Sequence, residues 1–355
     1  MKAKSFKIIA ALLGTLLFVF ALSGCGDSGS GDPTSPNSGS FGPIAGQTTI
    51  YTVGMHLNGN GVQVACCWKN GKLLPDFAPV NSVATGVAVA PDGTVYISGV
   101  YYKGEIPQAC YWTNGEKTDM APFNSNTTGI AIGPDGAVYV SGFYDSTGTV
   151  EYRACYWRNG IKMDLATSFS LTYGTAIDKD GAVYIAGSYD NGSEQVACYW
   201  KDGKIQQVLA YTFSCAYAIT IDPFDGAVYT AGNYSTGDDT GLSCYWKGGI
   251  KQKDIGDNVQ VTGIAIDPDG SVIIAGLYSN DGVTSIACCW IDGEKQVDLA
   301  AGDSAALSLA IGTDGTVYAA GYYTSNNKDT ACYWVNGSLK TDNSNGNAIG
   351  IAVVE

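Results

Sequence analysis

The chain has 355 residues, 33 of them acidic and 19 basic, for a formal net charge of −14. A surface this acidic argues against nucleic acid or anionic lipid as a partner, since both need a cationic face. With 47 glycines, 23 tyrosines and 7 tryptophans, the composition suits a turn-rich, aromatic β structure large enough to build a sizeable core.

The first element in chain order is an export leader. Lys2, Lys4 and Lys7 give a positive start, Ile8 to Leu22 an apolar run, and Leu22-Ser23-Gly24-Cys25 follows. A charged start, an apolar core and small residues before a cut site mark a secretory signal rather than a spanning helix. The last four of these residues resemble the bacterial lipobox. By that resemblance residues 1–24 are a lipoprotein signal peptide and Cys25 is the acylated first residue of the mature chain. Stable anchoring takes more than one acyl chain, which a lipoprotein amino terminus supplies. The same resemblance associates inner-membrane retention with aspartate directly after the cysteine. Gly26 stands there, with Asp27 one later, which favours the outer membrane or cell surface of a bacterial envelope.

Residues 25–47 read as a tether of Ser, Gly, Asp, Pro and Asn, too polar to offset the entropy of ordering. With the leader removed, 16 basic residues face 33 acidic ones, a charge that keeps an exported protein soluble.

From Thr48 to Glu355 the chain repeats. Trp68, Trp112, Trp157, Trp200, Trp246, Trp290 and Trp334 each close a Cys-Tyr-Trp or Cys-Cys-Trp triplet, at spacings of 44, 45, 43, 46, 44 and 44 residues. A period in the mid-forties is the signature of a ring of small sheet units. One copy illustrates the reading. Gly129-Ile130-Ala131-Ile132 predicts a first strand, Pro134-Asp135-Gly136 a turn and Ala137 to Tyr144 a second strand. Tyr152 to Arg158 predicts a third, Asn159-Gly160 a turn and Ile161 to Leu165 a fourth. Asn-Gly and Asp-Gly at the third-to-fourth position are two-residue hairpin turns with positive φ at both residues. No helix follows any of these glycines, so they form no phosphate cradle.

Four antiparallel strands repeated seven times predict an all-β, seven-bladed β-propeller over residues 48–355. The chain ends on an innermost strand, Gly350 to Val354, and begins on a second strand, Thr49 to Gly54. Paired in one blade, the two termini close the ring. Lys162 and Asp164, or Lys295 and Asp298, place charge on outermost strands, where it discourages edge pairing. The tether enters beside the tight turns, and the variable loops and inter-blade connections point the other way.

Gly129 to Tyr144 resembles the bacterial extracellular seven-bladed-propeller repeat, roughly G-I-A-V-D-x-x-G-N-V-Y-V-T-G. The segment from Ala154 to Leu165 is similar to the HAF exported repeat, with cysteine where that pattern has phenylalanine. Both resemblances imply the fold and no specific activity.

Cys66, Cys110, Cys155, Cys198, Cys244, Cys288 and Cys332 share a strand face with their tryptophans and are expected to pack as small apolar side chains. Cys67, Cys215 and Cys289 break the pattern; Cys67 and Cys289 replace the usual tyrosine, and one of these two is expected to pair oxidatively with a regular cysteine of a neighbouring blade. Without Cys-x-x-Cys, and with His56 as the single histidine, no metal site or cofactor is expected. His56 replaces the tyrosine of the Gly-x-Tyr position. Acidic stretches such as Asp190 to Glu194 and Asp238-Asp239 match no calcium loop.

Tyr173, Tyr211 and Tyr217 are placed in or beside inter-blade connections, where rings can stack on sugars or anchor a protein. Asn124, Asn126, Asp257, Asn258 and Asp303 are candidate polar groups at the channel mouth. The function expected is a monomeric, envelope-tethered binding module for protein or glycan. The alternative is a lactonase- or lyase-like propeller enzyme at the channel mouth, because the fold carries both.

Overall fold

The computed structural model of the chain describes residues 46–79, 81–120, 124–145, 148, 151–237, 241–341 and 344–355. The leader, Cys25, nearly all of the tether, and Asp238-Asp239 lie outside the described residues.

Twenty-eight strands form seven four-stranded antiparallel sheets, and no helix occurs among the described residues. Blade 1 has the order β28 (Gly346–Val354), β1 (Thr49–Leu57), β2 (Gln63–Lys69), β3 (Lys72–Leu73). The last strand therefore lies innermost, paired to the first from Thr49↔Val354 to His56↔Gly346. Blades 2 to 7 follow in chain order over residues 82–119, 125–164, 170–208, 214–256, 259–298 and 304–340, each running from inside out. The expected propeller and its two-ended closure are what the chain builds.

The turns follow from their residues. Asn114 and Gly115 have φ of 47° and 91°, and Asn159 and Gly160 have 50° and 79°, the doubly positive geometry a two-residue hairpin needs. The Asn or Asp side chain does a second job there. Asn114 Oδ1 accepts from the Val95 amide at 3.1 Å, and Asp202 Oδ1 accepts from Val183 at 3.0 Å. The inner Asp-Gly turns differ, because only the glycine is left-handed. Gly93 donates to the Ala90 carbonyl at 2.8 Å, a type I turn followed by the positive-φ residue.

Every innermost strand carries one β-bulge, at Thr85, Thr128, Tyr173, Tyr217, Thr262, Leu307 and Ile349. A bulge drives the neighbouring carbonyl towards the second strand. A Cβ at Gly142 would sit 2.0 Å from the Asn126 oxygen, so only glycine fits there. That explains the glycine of the repeated Gly-x-Tyr sequence.

Successive blades bury the tryptophan side chains between them. Trp112, Trp157 and Trp200 are fully buried, and Phe77 meets Trp112 edge-on at 5.5 Å. In five of the seven blades a serine at the start of the innermost strand pins the blade to the one before. Ser82, Ser125, Ser170, Ser214 and Ser304 are fully buried. Their hydroxyls accept from Ala65, Ala109, Ala154, Ala197 and Ala287 at 2.8–3.1 Å. Serine recurs at this one position in five of the seven copies, a signal present in the sequence itself.

Candidate functional site

The disc has two unlike faces. On the turn face, Ile50 donates to Asn70 Oδ1 at 2.8 Å, so the chain enters blade 1 beside the Asn70-Gly71 turn. On the opposite, connection face lie the inter-blade connections and the loops between second and third strands. There, one residue precedes each innermost strand and offers its carbonyl to the second strand of its own blade. The seven are Asn81, Asn124, Phe169, Phe213, Asn258, Asp303 and Asn345, with bonds of 2.7–3.0 Å. Asn81, Asn124 and Asn258 adopt positive φ, which asparagine tolerates.

The candidate polar residues distribute around this mouth. Asn124 has a φ of 55° and its amide donates to Asp145 at 3.3 Å, a backbone-shaping role. Asn126 lies inside β8 (Ser125–Ile132), opposite Phe143. Asp257 is exposed beside Asn258, and Asp303 accepts from the Ser285 amide at 3.3 Å. Because Asn124 and Asp303 hold equivalent positions in different blades, the repeat spreads them around the ring.

The three tyrosines separate. Tyr211 does lie in a connection and is 81% exposed. Tyr173 and Tyr217 do not, a correction to the expected placement. They are the bulge residues of β12 (Ser170–Ile177) and β16 (Ser214–Ile221), and their rings meet edge-on at 5.1 Å across the blade boundary. A bulge adds one residue, so a position that alternation assigns to a connection stays within the strand. Burial raises both phenol pKa values well above the ordinary range, and Cys215 beside them adds to the rise. The Tyr173 hydroxyl is buried without a hydrogen-bond partner among the described residues.

Three bulge threonines bind their blades to the next near the axis. Thr85 meets Thr127 at 2.6 Å and Thr128 meets Thr172 at 2.8 Å, while Thr262 donates to the Ala306 carbonyl at 2.8 Å. Tyr173, Tyr217, Leu307 and Ile349 occupy the other four positions. This level thus presents hydroxyl, aromatic and aliphatic groups.

The outermost strands carry the expected charges, with an added contact. Lys162 Nζ lies 3.6 Å above the Tyr144 ring and 2.7 Å from Asp164. Lys295 lies 3.7 Å above Tyr278 and 2.8 Å from Asp298, and Lys117 and Lys251 repeat the arrangement over Tyr101 and Tyr234. These lysines lean over the tyrosine rings of their own blades by cation–π attraction while pairing with the strand's carboxylates, so both charges stay at the outer edge. In blade 1 His56 takes the tyrosine's place, 2.8 Å from Asp76.

All ten described cysteines are buried and free, so the expected oxidised pair is not formed. Cys67 packs in one cluster with Cys110, and Cys289 in another with Cys332, as apolar side chains. Burial pushes the thiol of Cys215 up to about 11 and those of Cys288 and Cys289 to about 12. The carboxylate of Asp190 and the amide of Asn191 are used by their own loop, accepting from Gly192 and Ser193 at 2.7 and 2.9 Å.

No protein-family profile matches the chain, and no curated protein matches it in sequence. Among solved structures it is similar to TolB from Acinetobacter baumannii, at 14% identity and a TM-score of 0.48, over 72% of this chain and 64% of that one. It is also similar to the WD40 β-propeller domain of Doa1, at 13% identity and a TM-score of 0.46, over 75% and 84%. These likenesses concern the propeller fold.

Proposed function

We propose that this chain is an exported, lipid-anchored binding module of the bacterial envelope, held through Cys25 and meeting a protein or glycan partner with its connection face. The observation that carries this reading is the rim of that face. Leu57, Val62, Ile106, Tyr211 and Val283 are 44%, 36%, 51%, 81% and 85% exposed there, on loops or strand ends of blades 1, 2 and 6 and the connection between blades 4 and 5. Loops on a rigid scaffold are where recognition sits, and exposed apolar side chains there give a partner surface to bury. Asp257 and Asp303 supply a polar border, and Tyr211 is the aromatic anchor. The acidic charge fits a neutral or basic partner.

The test is in-envelope cross-linking and glycan-array binding by the full chain and by Tyr211→Ala and Val283→Asp. Both variants are expected to melt like the parent and lose the captured partner or glycan. An unchanged cross-link pattern and array profile would refute the connection face as the recognition surface.

A further inference from the structure

The turn face breaks the sevenfold repeat in one sector. In blade 5 the inner turn has an extra residue. Gly226 donates to Asp222 at 3.0 Å across Pro223, Phe224 and Asp225, whereas in blade 6 Gly270 donates to Asp267 across one residue fewer. The widened turn presents Phe224, 68% exposed. Two more large apolar side chains project at the same end of the disc, just after the outer turns of blades 3 and 5. They are Ile161, 70% exposed, and Ile250, 71% exposed.

Charge divides along the same line. In blades 3, 4 and 5 the turn carboxylates Asp135, Asp180 and Asp225 are paired to Arg158, Lys179 and Lys247 at 2.7, 2.9 and 3.1 Å. In blades 2, 6 and 7 the equivalent Asp92, Asp269 and Asp314 have no cationic partner among the described residues. The most exposed apolar side chains of this end thus stand in the charge-compensated sector, while blades 2, 6 and 7 leave their turn carboxylates unpaired among the described residues.

The chain enters on this same face, in blade 1. Blade 5 is three blades away round the ring, as far as a seven-membered ring allows. The geometry points to a second membrane contact: Phe224, with Ile161 and Ile250, rests in the interfacial layer of a bilayer with zwitterionic headgroups. The disc then lies on that surface by two points, the acylated tether at blade 1 and this apolar sector opposite. Aromatic and branched apolar side chains flanked by basic residues suit the headgroup boundary, and the paired carboxylates lower the repulsion and desolvation cost of approach. With the turn face down, the connection face looks outwards. The inference rests on the lipid-anchored reading proposed above.

The experiment uses the full, acylated chain in phosphatidylethanolamine–phosphatidylcholine vesicles, with acylation of Cys25 checked by mass spectrometry. Tryptophan is introduced as Phe224→Trp and, separately, as Val283→Trp on the connection face. The native tryptophans are at most 3% exposed, so their emission forms a constant background. The Phe224→Trp emission is expected to shift to the blue and to be quenched by brominated lipid, with Ile250→Trp behaving likewise and Val283→Trp staying aqueous. If Cys25 is acylated but Phe224→Trp and Ile250→Trp remain quenchable only from water, the second contact is wrong and the anchor stands. If Cys25 is not acylated and the chain stays out of the membrane fraction, the anchored reading fails first and this inference with it.

Discussion

The joint between blades 2 and 3 and the joint between blades 5 and 6 make the same connection from opposite sides. In the first, Ser125 at the head of the innermost strand accepts from the Ala109 amide at 3.1 Å. In the second, the strand head is Val259, and the hydroxyl has moved across the interface to Ser243, which donates to the Val259 carbonyl at 2.6 Å. Ser243 stands where other blades have alanine. What the joint requires is one hydroxyl at that place, on whichever blade carries it. The joint between blades 7 and 1 is a third solution. Gly346 heads the strand there, the Ala331 amide donates to the Ser344 carbonyl at 3.1 Å, and Trp68 donates to the Ser344 hydroxyl at 3.3 Å.

The severest way to break these joints is to remove the strand that two of them share. Deleting residues 346–355 takes away β28 and opens the ring on both sides of blade 1. It also frees Thr313, whose amide bonds the Glu355 carboxylate at 2.9 Å. The loss should exceed what a domain with ~5–15 kcal/mol of stability can bear. The truncated chain is expected to aggregate or lose cooperative melting, and a soluble variant with the parental melting curve would disprove closure by this strand.

A second effect acts on all joints together, because each interface buries thiols. A thiol held protonated in the folded state and free to ionise in the unfolded one favours unfolding as pH rises. Its contribution is intact below the ordinary thiol pKa of 9.0 and is lost progressively between that value and the raised one, about 11 for Cys215 and about 12 for Cys288 and Cys289. One pH unit above the ordinary value this amounts to about 1.4 kcal/mol per buried thiol. Urea midpoints should therefore hold between pH 6 and 8 and fall steeply by about pH 10. The same thiols should resist iodoacetamide at about pH 8 until the chain is denatured. Rapid labelling of the native protein would show that these cysteines are not sealed between blades.

The ring, the blade count and the closure were legible because they rest on period and turn chemistry. Seven tryptophans fix the repeat, and Asn-Gly pairs fix the hairpins. What could not be read is what occurs once per strand without a turn residue to announce it. The bulge at Tyr173 and Tyr217 shifts alternation by one and draws both rings from the expected connections into the innermost strands. The contact of Lys162 with Tyr144 is not announced either, because it reaches from the outermost strand across the third to the second. The glycine of Gly-x-Tyr was visible in every copy, but its cause is a carbonyl that only the bulge brings near.

The finest test returns to the two joints and exploits their asymmetry. Ser125→Ala strips the acceptor from a buried backbone N–H, which should cost ~1–3 kcal/mol. Ser243→Ala only removes a donor from the Val259 carbonyl, and under-satisfied carbonyls are better tolerated than orphaned amides, so its cost should be smaller, about 1 kcal/mol. Val259→Ser added to Ser243→Ala puts the hydroxyl back on the strand head, as in blades 2 to 5 and 7. If the joint needs a hydroxyl and not a particular residue, the double variant recovers stability relative to Ser243→Ala, read as urea midpoints at unchanged slope. Equal destabilisation by Ser125→Ala and Ser243→Ala, with no recovery in the double variant, would mean that the hydroxyls only fill space and that ring strength comes from the tryptophan layer alone.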